Sequence, residues 1–174
     1  MILNTTAINI RRANEKDFDT LRFILKTTWF DTYSKFIPEE DLTFYLNETY
    51  NNDKLKLLLN NPDTKIFIAE VESKSAGMMR VSEDKLQKRF YLNSLYVLPD
   101  YQGFGVGKEL SILAENIALS LQHDKIWLGV MEKNTTAMNW YKKNGFVFPE
   151  EEPFQMGKTK VNHFIGYKIL LEKL

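Results

Sequence analysis

The chain of 174 residues contains no cysteine. That absence removes disulfides, thiolate metal sites and a cysteine nucleophile together. Histidine is scarce as well: His123 and His163 lie far apart and neither falls in a spaced ligand pattern, which argues against metal chemistry. No charge of either sign dominates, because 23 lysines and arginines balance 23 aspartates and glutamates. A chain without a net field has no global attraction for nucleic acid or acidic lipid, so the expected partner is a small molecule or a protein. No apolar run approaches the length of a membrane span, and the opening MILNTTAINIRRANEKD has no basic head followed by a long apolar stretch. The expectation is a soluble, cytoplasmic protein with no membrane and no nucleic-acid partner. No repeat, low-complexity tract or Pro/Gly/Ser linker divides the chain. With 44% hydrophobic and 13% aromatic residues, it is expected to form one domain over residues 1–174.

What is present reads as alternating elements. Ala7 to Arg12 is strand-like, and Glu15 to about Trp29 carries Phe18, Leu21, Ile24 and Leu25 at helical spacing, with Asn14 as a cap. Pro38-Glu39-Glu40 opens a second helical stretch, and Asp53 to Asn60 a third, stopped by Asn61-Pro62. Lys65 to Val71 and Ala76 to Val81 are strand-like around the turn-prone Glu72-Ser-Lys-Ser75. Arg89 to Leu98, RFYLNSLYVL, changes phase within itself: Phe90 and Leu92 share one parity, Leu95 and Val97 the other. Either both faces of this strand are buried, or a β-bulge near Asn93-Ser94 inserts one residue beside a site. A helix over 107–121 follows, with Leu110, Leu113, Ala114, Ile117, Ala118 and Leu121 on one face. Lys125 to Met131, KIWLGVM, reads as a central parallel strand, completing a βαβ unit. Asn134 then caps a short helix through Tyr141, ended by Asn144-Gly145, and His163 to Leu171 reads as the final strand.

The βαβ unit places YQGFGVGKEL, residues 101–110, at the carboxyl end of its first strand, where open α/β sheets bind ligands. Free N–H groups at a helix N-terminus, with the positive end of its dipole, stabilise an anion, and glycine lets the backbone approach closely. A phosphate cradle is therefore expected, with a tight structural turn as the alternative. The P-loop pattern fails, because Gln102 and Glu109 stand where it needs a glycine and a Ser or Thr. The dinucleotide fingerprint fails too, since Gly107 comes one residue early after Gly103 and Gly105.

Gln102-Gly103-Phe104-Gly105-Val106-Gly107 resembles the [Gln/Arg]-x-x-Gly-x-[Gly/Ala] acyl-CoA loop of the GNAT superfamily of N-acetyltransferases. LYVLPDYQG before it and WLGVMEKNTTAMNWYKKNGF after it are similar to the strand, turn, asparagine and tyrosine-bearing helix of that family, over about 60 residues in the same order. WLGVMEKN with Phe154-Gln-Met-Gly157 is similar to the bacterial spermine/spermidine acetyltransferases of the PaiA type.

The resemblance implies an α/β (α+β) fold with a mixed, mostly antiparallel central sheet, a splayed parallel pair and helices on both faces. It implies acetyl-CoA as co-substrate, no metal, and a primary amine as acceptor. Under it, the pyrophosphate rests on backbone N–H groups from Gly103 to Lys108. Leu95, Tyr96 and Val97 hold the pantetheine, with the Val97 N–H on the thioester carbonyl. Asn134 bonds the cofactor while also capping its helix, Lys143 reaches a phosphate, and Tyr141 donates a proton to the leaving sulfur. Many relatives carry a glutamate in the strand before the loop; here Asn93 aligns with it and cannot accept a proton at neutral pH, so no general base is assigned. For the acceptor, Glu150-Glu-Glu152 is either a polyamine-attracting cluster or a solvated loop, and Trp29 to Tyr33 either lines an amine pocket or belongs to the core. Three functions stay open: an acetyltransferase of small amines such as polyamines, one of protein or peptide amines, and a CoA-binding regulatory module without chemistry. A homodimer is compatible with each.

Overall fold

The structure, a computed structural model, describes residues 7–170. Strand β1 (Ile8–Arg12) leads through a short 3₁₀ turn into helices α1 (Phe18–Tyr33), α2 (Glu39–Thr49) and α3 (Asn52–Asn60). Antiparallel strands β2 (Thr64–Val71), β3 (Lys74–Asp84) and β4 (Arg89–Val97) follow, then α4 (Val106–Ser120) and β5 (Lys125–Met131). Helix α5 (Thr135–Lys143) and the hairpin β6 (Val147–Met156) and β7 (Thr159–Ile169) close the described chain. The strands form a seven-stranded sheet in the order β1-β2-β3-β4-β5-β7-β6, in which β4 and β5 are the parallel pair.

Helices cover both faces. On one, Leu110, Ala114 and Ala118 of α4 and Met138 and Tyr141 of α5 pack on Phe90, Leu92, Ile126, Leu128 and Val130. On the other, Leu21, Ile24, Leu25 and Trp29 of α1, Leu42 and Leu46 of α2 and Leu55 of α3 pack on Ile66, Ile68, Met78 and Met131. The α1 start is held by local chemistry: Asn14 and Asp17 form a reciprocal capping box, and Asp17 also accepts from the two terminal guanidinium nitrogens of Arg11 at 2.8 and 2.9 Å.

Two features of the sheet make the site. The β3–β4 register pairs Arg80 with Ser94 but Val81 with Leu92, so Asn93 is the extra residue of a β-bulge. The bulge is why Phe90, Leu92, Leu95 and Val97 all reach the α4 side, while Tyr96 and Leu98 reach the other. The parallel pairing then ends early: only Phe90 and Tyr91 pair with β5, through Ile126 and Trp127. Beyond that point the strands splay.

Several boundaries differ from the sequence expectation. The first helix runs on from Trp29 to Tyr33, because Tyr33 still buries its ring under the sheet. β3 begins at Lys74 and reaches Asp84, since the turn needs only Glu72 and Ser73, both at positive φ. Glu150 to Glu152 is not a loop but lies within β6. This edge strand is almost wholly exposed and carries Pro149 and Pro153, so neither periodicity nor propensity marks it. β7 opens at Thr159, ahead of the expected His163, because the tight turn at Gly157 returns the chain directly; the expected end at Leu171 lies outside the described residues.

Candidate active site

The splay opens a cleft of about 780 Å³ that runs between β4 and β5 from one helical layer toward the other. β4 contributes Leu92 to Val97, β5 contributes Gly129 and Val130, and the loop with the start of α4 contributes Gln102, Gly103, Gly105, Val106, Gly107 and Lys108. Asn134, Thr135, Thr136, Ala137, Trp140 and Tyr141 form the α5 wall, and Thr28, Asp31, Thr32 and Tyr33 of α1 close the opposite side.

The loop owes its shape to glycine. Gly103 and Gly105 sit at φ +84 and +88, a left-handed region that costs L-residues with a Cβ roughly 1–2 kcal/mol. Gly107 lies inside α4, where a Cβ would make only ordinary contacts with Leu95, Val97 and Trp140; within the protein alone it has no steric need to be glycine. No side chain among the described residues caps α4, so the N–H groups of its first turn and its dipole face the cleft. Gln102 turns inward, its Nε2 donating to the Val97 carbonyl at 3.2 Å and tying the loop to the end of β4. Gly77 of β3 makes a further close approach: a Cβ there would stand 2.7 Å from the Tyr96 carbonyl oxygen.

Three phenols meet at the cleft floor. Tyr141 is 8% exposed, and burial, seconded by nearby Tyr33, pushes its hydroxyl well above the ordinary value of 10. Burial also raises Tyr33, and Tyr96 is raised further still. All three are therefore neutral donors at any working pH. Asn134 does cap its helix, accepting from the Ala137 N–H at 3.2 Å, while its edge faces the cleft.

Of the residues expected from sequence, Leu95, Tyr96, Val97, Gln102, Gly103, Gly105, Val106, Gly107, Lys108, Asn134 and Tyr141 come together in this lining. Phe104 and Lys143 do not: Phe104 is exposed on the outer side of the loop, and Lys143 sits exposed in the last turn of α5, the far end of that helix from Asn134. Trp29 is core, 2% exposed and packed edge-on to Tyr50 and Tyr96, whereas Tyr33 from the same stretch reaches the cleft. Glu150 is bound to Arg89 at 2.9 Å, and with Glu152 it lines a second, polar cleft beside Arg89, Tyr91 and Ile165. Sequence reasoning passed over Gly77 and Gly129. Their signal was glycine inside a strand, which marks a close approach but does not say of what.

The comparisons with known proteins agree with this geometry. Residues 23–146 match the Acetyltransferase (GNAT) family. An uncharacterized N-acetyltransferase of Lactobacillus delbrueckii subsp. lactis is 28% identical over 95% of this chain and 99% of its own length. The spermidine N(1)-acetyltransferase of Thermoplasma acidophilum is 27% identical over 80% of this chain and 88% of its own. The crystal structure of the PaiA N-acetyltransferase from the same organism, solved with coenzyme A, superposes with a TM-score of 0.80 at 26% identity, covering 94% of this chain and 99% of that one. The chain belongs to the GNAT family of acetyltransferases.

Proposed function

We propose that this protein is an N-acetyltransferase that moves the acetyl group of acetyl-CoA to a small primary amine, with polyamines the leading acceptor class, and that residues 1–174 act as one domain. One observation carries the reading: the uncapped N-terminus of α4 and the neutral phenol of Tyr141 border one cleft, along a β4 edge that β5 leaves unpaired. The spermidine acetyltransferase of Thermoplasma and its PaiA structure with coenzyme A support the cofactor and the amine class.

Acetyl-CoA supplies an activated acyl group and a thiolate leaving group. The protein's share is binding, polarisation and proton delivery. The first-turn N–H groups of α4, from Gly105 through Lys108, take the pyrophosphate charge. The free edge of Leu95 to Val97 holds the pantetheine amides as an added strand would be held, and the Val97 N–H polarises the thioester carbonyl. Tyr141 donates to the departing sulfur: its buried phenol is held protonated, so the proton is in place as the C–S bond breaks. Tyr33 and Asn134 line the same floor as Tyr141.

A cofactor-binding module without chemistry is the second reading, favoured by Asn93 at the bulge where a carboxylate would serve as base. Release of free CoA, followed with a thiol reagent over polyamines, amino sugars, amino acids and peptides, separates the two. The absence of cysteine means the protein adds no background. Turnover concentrated in one amine class is expected; acetyl-CoA binding with no turnover over the whole panel gives the second reading.

A further inference from the structure

The bulge leaves the reaction without an obvious proton acceptor, because Asn93 cannot take the proton that the attacking nitrogen must lose. His163 stands one strand beyond β5. It lies on β7 directly opposite Met131 of β5 and Glu152 of β6. Its ring is stacked on Phe154 with centroids 4.4 Å apart and planes 13° off parallel, which fixes its orientation. Its Nδ1 lies 3.2 Å from the point that a Cβ on Gly129 would occupy, and Ile165 Cδ1 lies 3.1 Å from it. Gly129 has no positive φ to require glycine, so room for these two side chains is what the position provides. Gly129 lines the cofactor cleft on β5 as Asn93 does on β4, while Ile165 lines the second, carboxylate-bearing cleft. His163 therefore packs against a residue of the cofactor cleft, Gly129, beside a residue of the second cleft, Ile165.

We propose that the His163 imidazole is the proton acceptor of the transfer: an amine entering from the second cleft attacks beside Gly129, and His163 Nδ1 takes the proton its nitrogen sheds. The nitrogen lone pair forms the new C–N bond as the C–S bond breaks, the nitrogen's proton goes to Nδ1, and the sulfur gains a proton from Tyr141. The imidazolium then returns its proton through solvent to the Tyr141 phenolate, and the sum is one amide and one thiol. Burial holds the imidazole at about 4 against its ordinary 6.5, so it is unprotonated whenever the enzyme works. So weak a base does not deprotonate a free ammonium; it accepts from nitrogen made acidic by bonding to the acyl carbon. Glu152 opposite it on β6, Glu150 with its partner Arg89, Tyr91 of the second cleft, and Tyr45 of α2 against Phe154 are titratable groups on the elements around it.

This inference rests on the amine-transfer reading, and one set of measurements tells the two apart. The chain has two histidines, so the imidazole C2–H resonances form a two-peak NMR spectrum that His163→Gln assigns. With CoA present, adding the amine that gives turnover is expected to move the His163 peak and leave His123 still. His163→Gln is expected to lower kcat about a hundredfold with acetyl-CoA affinity unchanged. Imidazole added to His163→Ala is expected to restore part of the loss. A peak that does not respond to amine, or His163→Gln turning over within threefold of wild type, overturns the role of His163 alone. A wild-type enzyme that acetylates no amine overturns the reading beneath it, and this inference with it.

Discussion

Tyr141 and Asn93 show how burial and backbone geometry divide the chemistry between residues. A phenol raised by burial is a poor acid in water, yet beside a departing thiolate it is fully protonated and needs no charge nearby to stay so. Replacing it with phenylalanine keeps the ring packing against Trp140 and Phe146 and removes only the donor. Tyr141→Phe is expected to lower kcat by about 10²-fold while the dissociation constant for acetyl-CoA changes little, a split that steady-state kinetics and calorimetry read directly. Unchanged turnover would remove the phenol from the mechanism. Asn134 was legible as a helix cap, whereas Tyr141 was singled out through the resemblance of its helix to the GNAT family; both border the cleft. His163 was visible only as a lone histidine, since its meaning depends on Gly129, 34 positions earlier, and on a stacking contact with Phe154 that no local pattern encodes.

At the scale of elements, the loop and α4 act as one unit: the glycines bend the chain so that a helix begins with its N–H groups bare. Gly105 is the hinge of that bend, at φ +88 and directly before Val106. Gly105→Glu adds a strained backbone and a negative charge at the anion site, and acetyl-CoA affinity is expected to fall by two orders of magnitude or more in calorimetry. An affinity within threefold of wild type would contradict the phosphate role of this terminus. Elements whose apolar spacing is strong, α1, α4, β4 and β5, were readable to within a few residues. The bulge at Asn93 was readable too, because a phase change in apolar parity is its direct signature. β6 was not: its side chains are nearly all in solvent, so hydrophobic pattern carries no information, and its pairing with β7 is specified from outside by partners such as Asp41. That carboxylate, on α2, accepts from the Lys158 N–H at 2.8 Å and the Thr159 hydroxyl at 2.6 Å and holds the hairpin turn in place.

For the whole molecule, His163 and Asp17 contribute to the response to acid in different pH ranges. The unfolded chain protonates His163 near 6.5 and the folded one only near 4, so the unfolded state binds more protons between those values and stability falls as pH drops through that window. Asp17, held low chiefly by its bonds to Arg11, contributes stability above the ordinary carboxylate range and loses it as pH falls through its lowered folded value. The melting temperature is expected to fall in two stages, one between about 6.5 and 4 and one below, and His163→Gln is expected to flatten the first. A flat melting temperature from pH 7 to 4 would contradict the burial of a neutral imidazole. The account as a whole stands on acetyl-CoA lying in the splay between β4 and β5, and a backbone amide NMR titration with acetyl-CoA tests that most directly. It is predicted to show its largest shifts at Gly103 to Lys108 and Leu95 to Val97, with smaller ones at Asn134 and Gly129. Shifts concentrated elsewhere, with those amides unmoved, would contradict it.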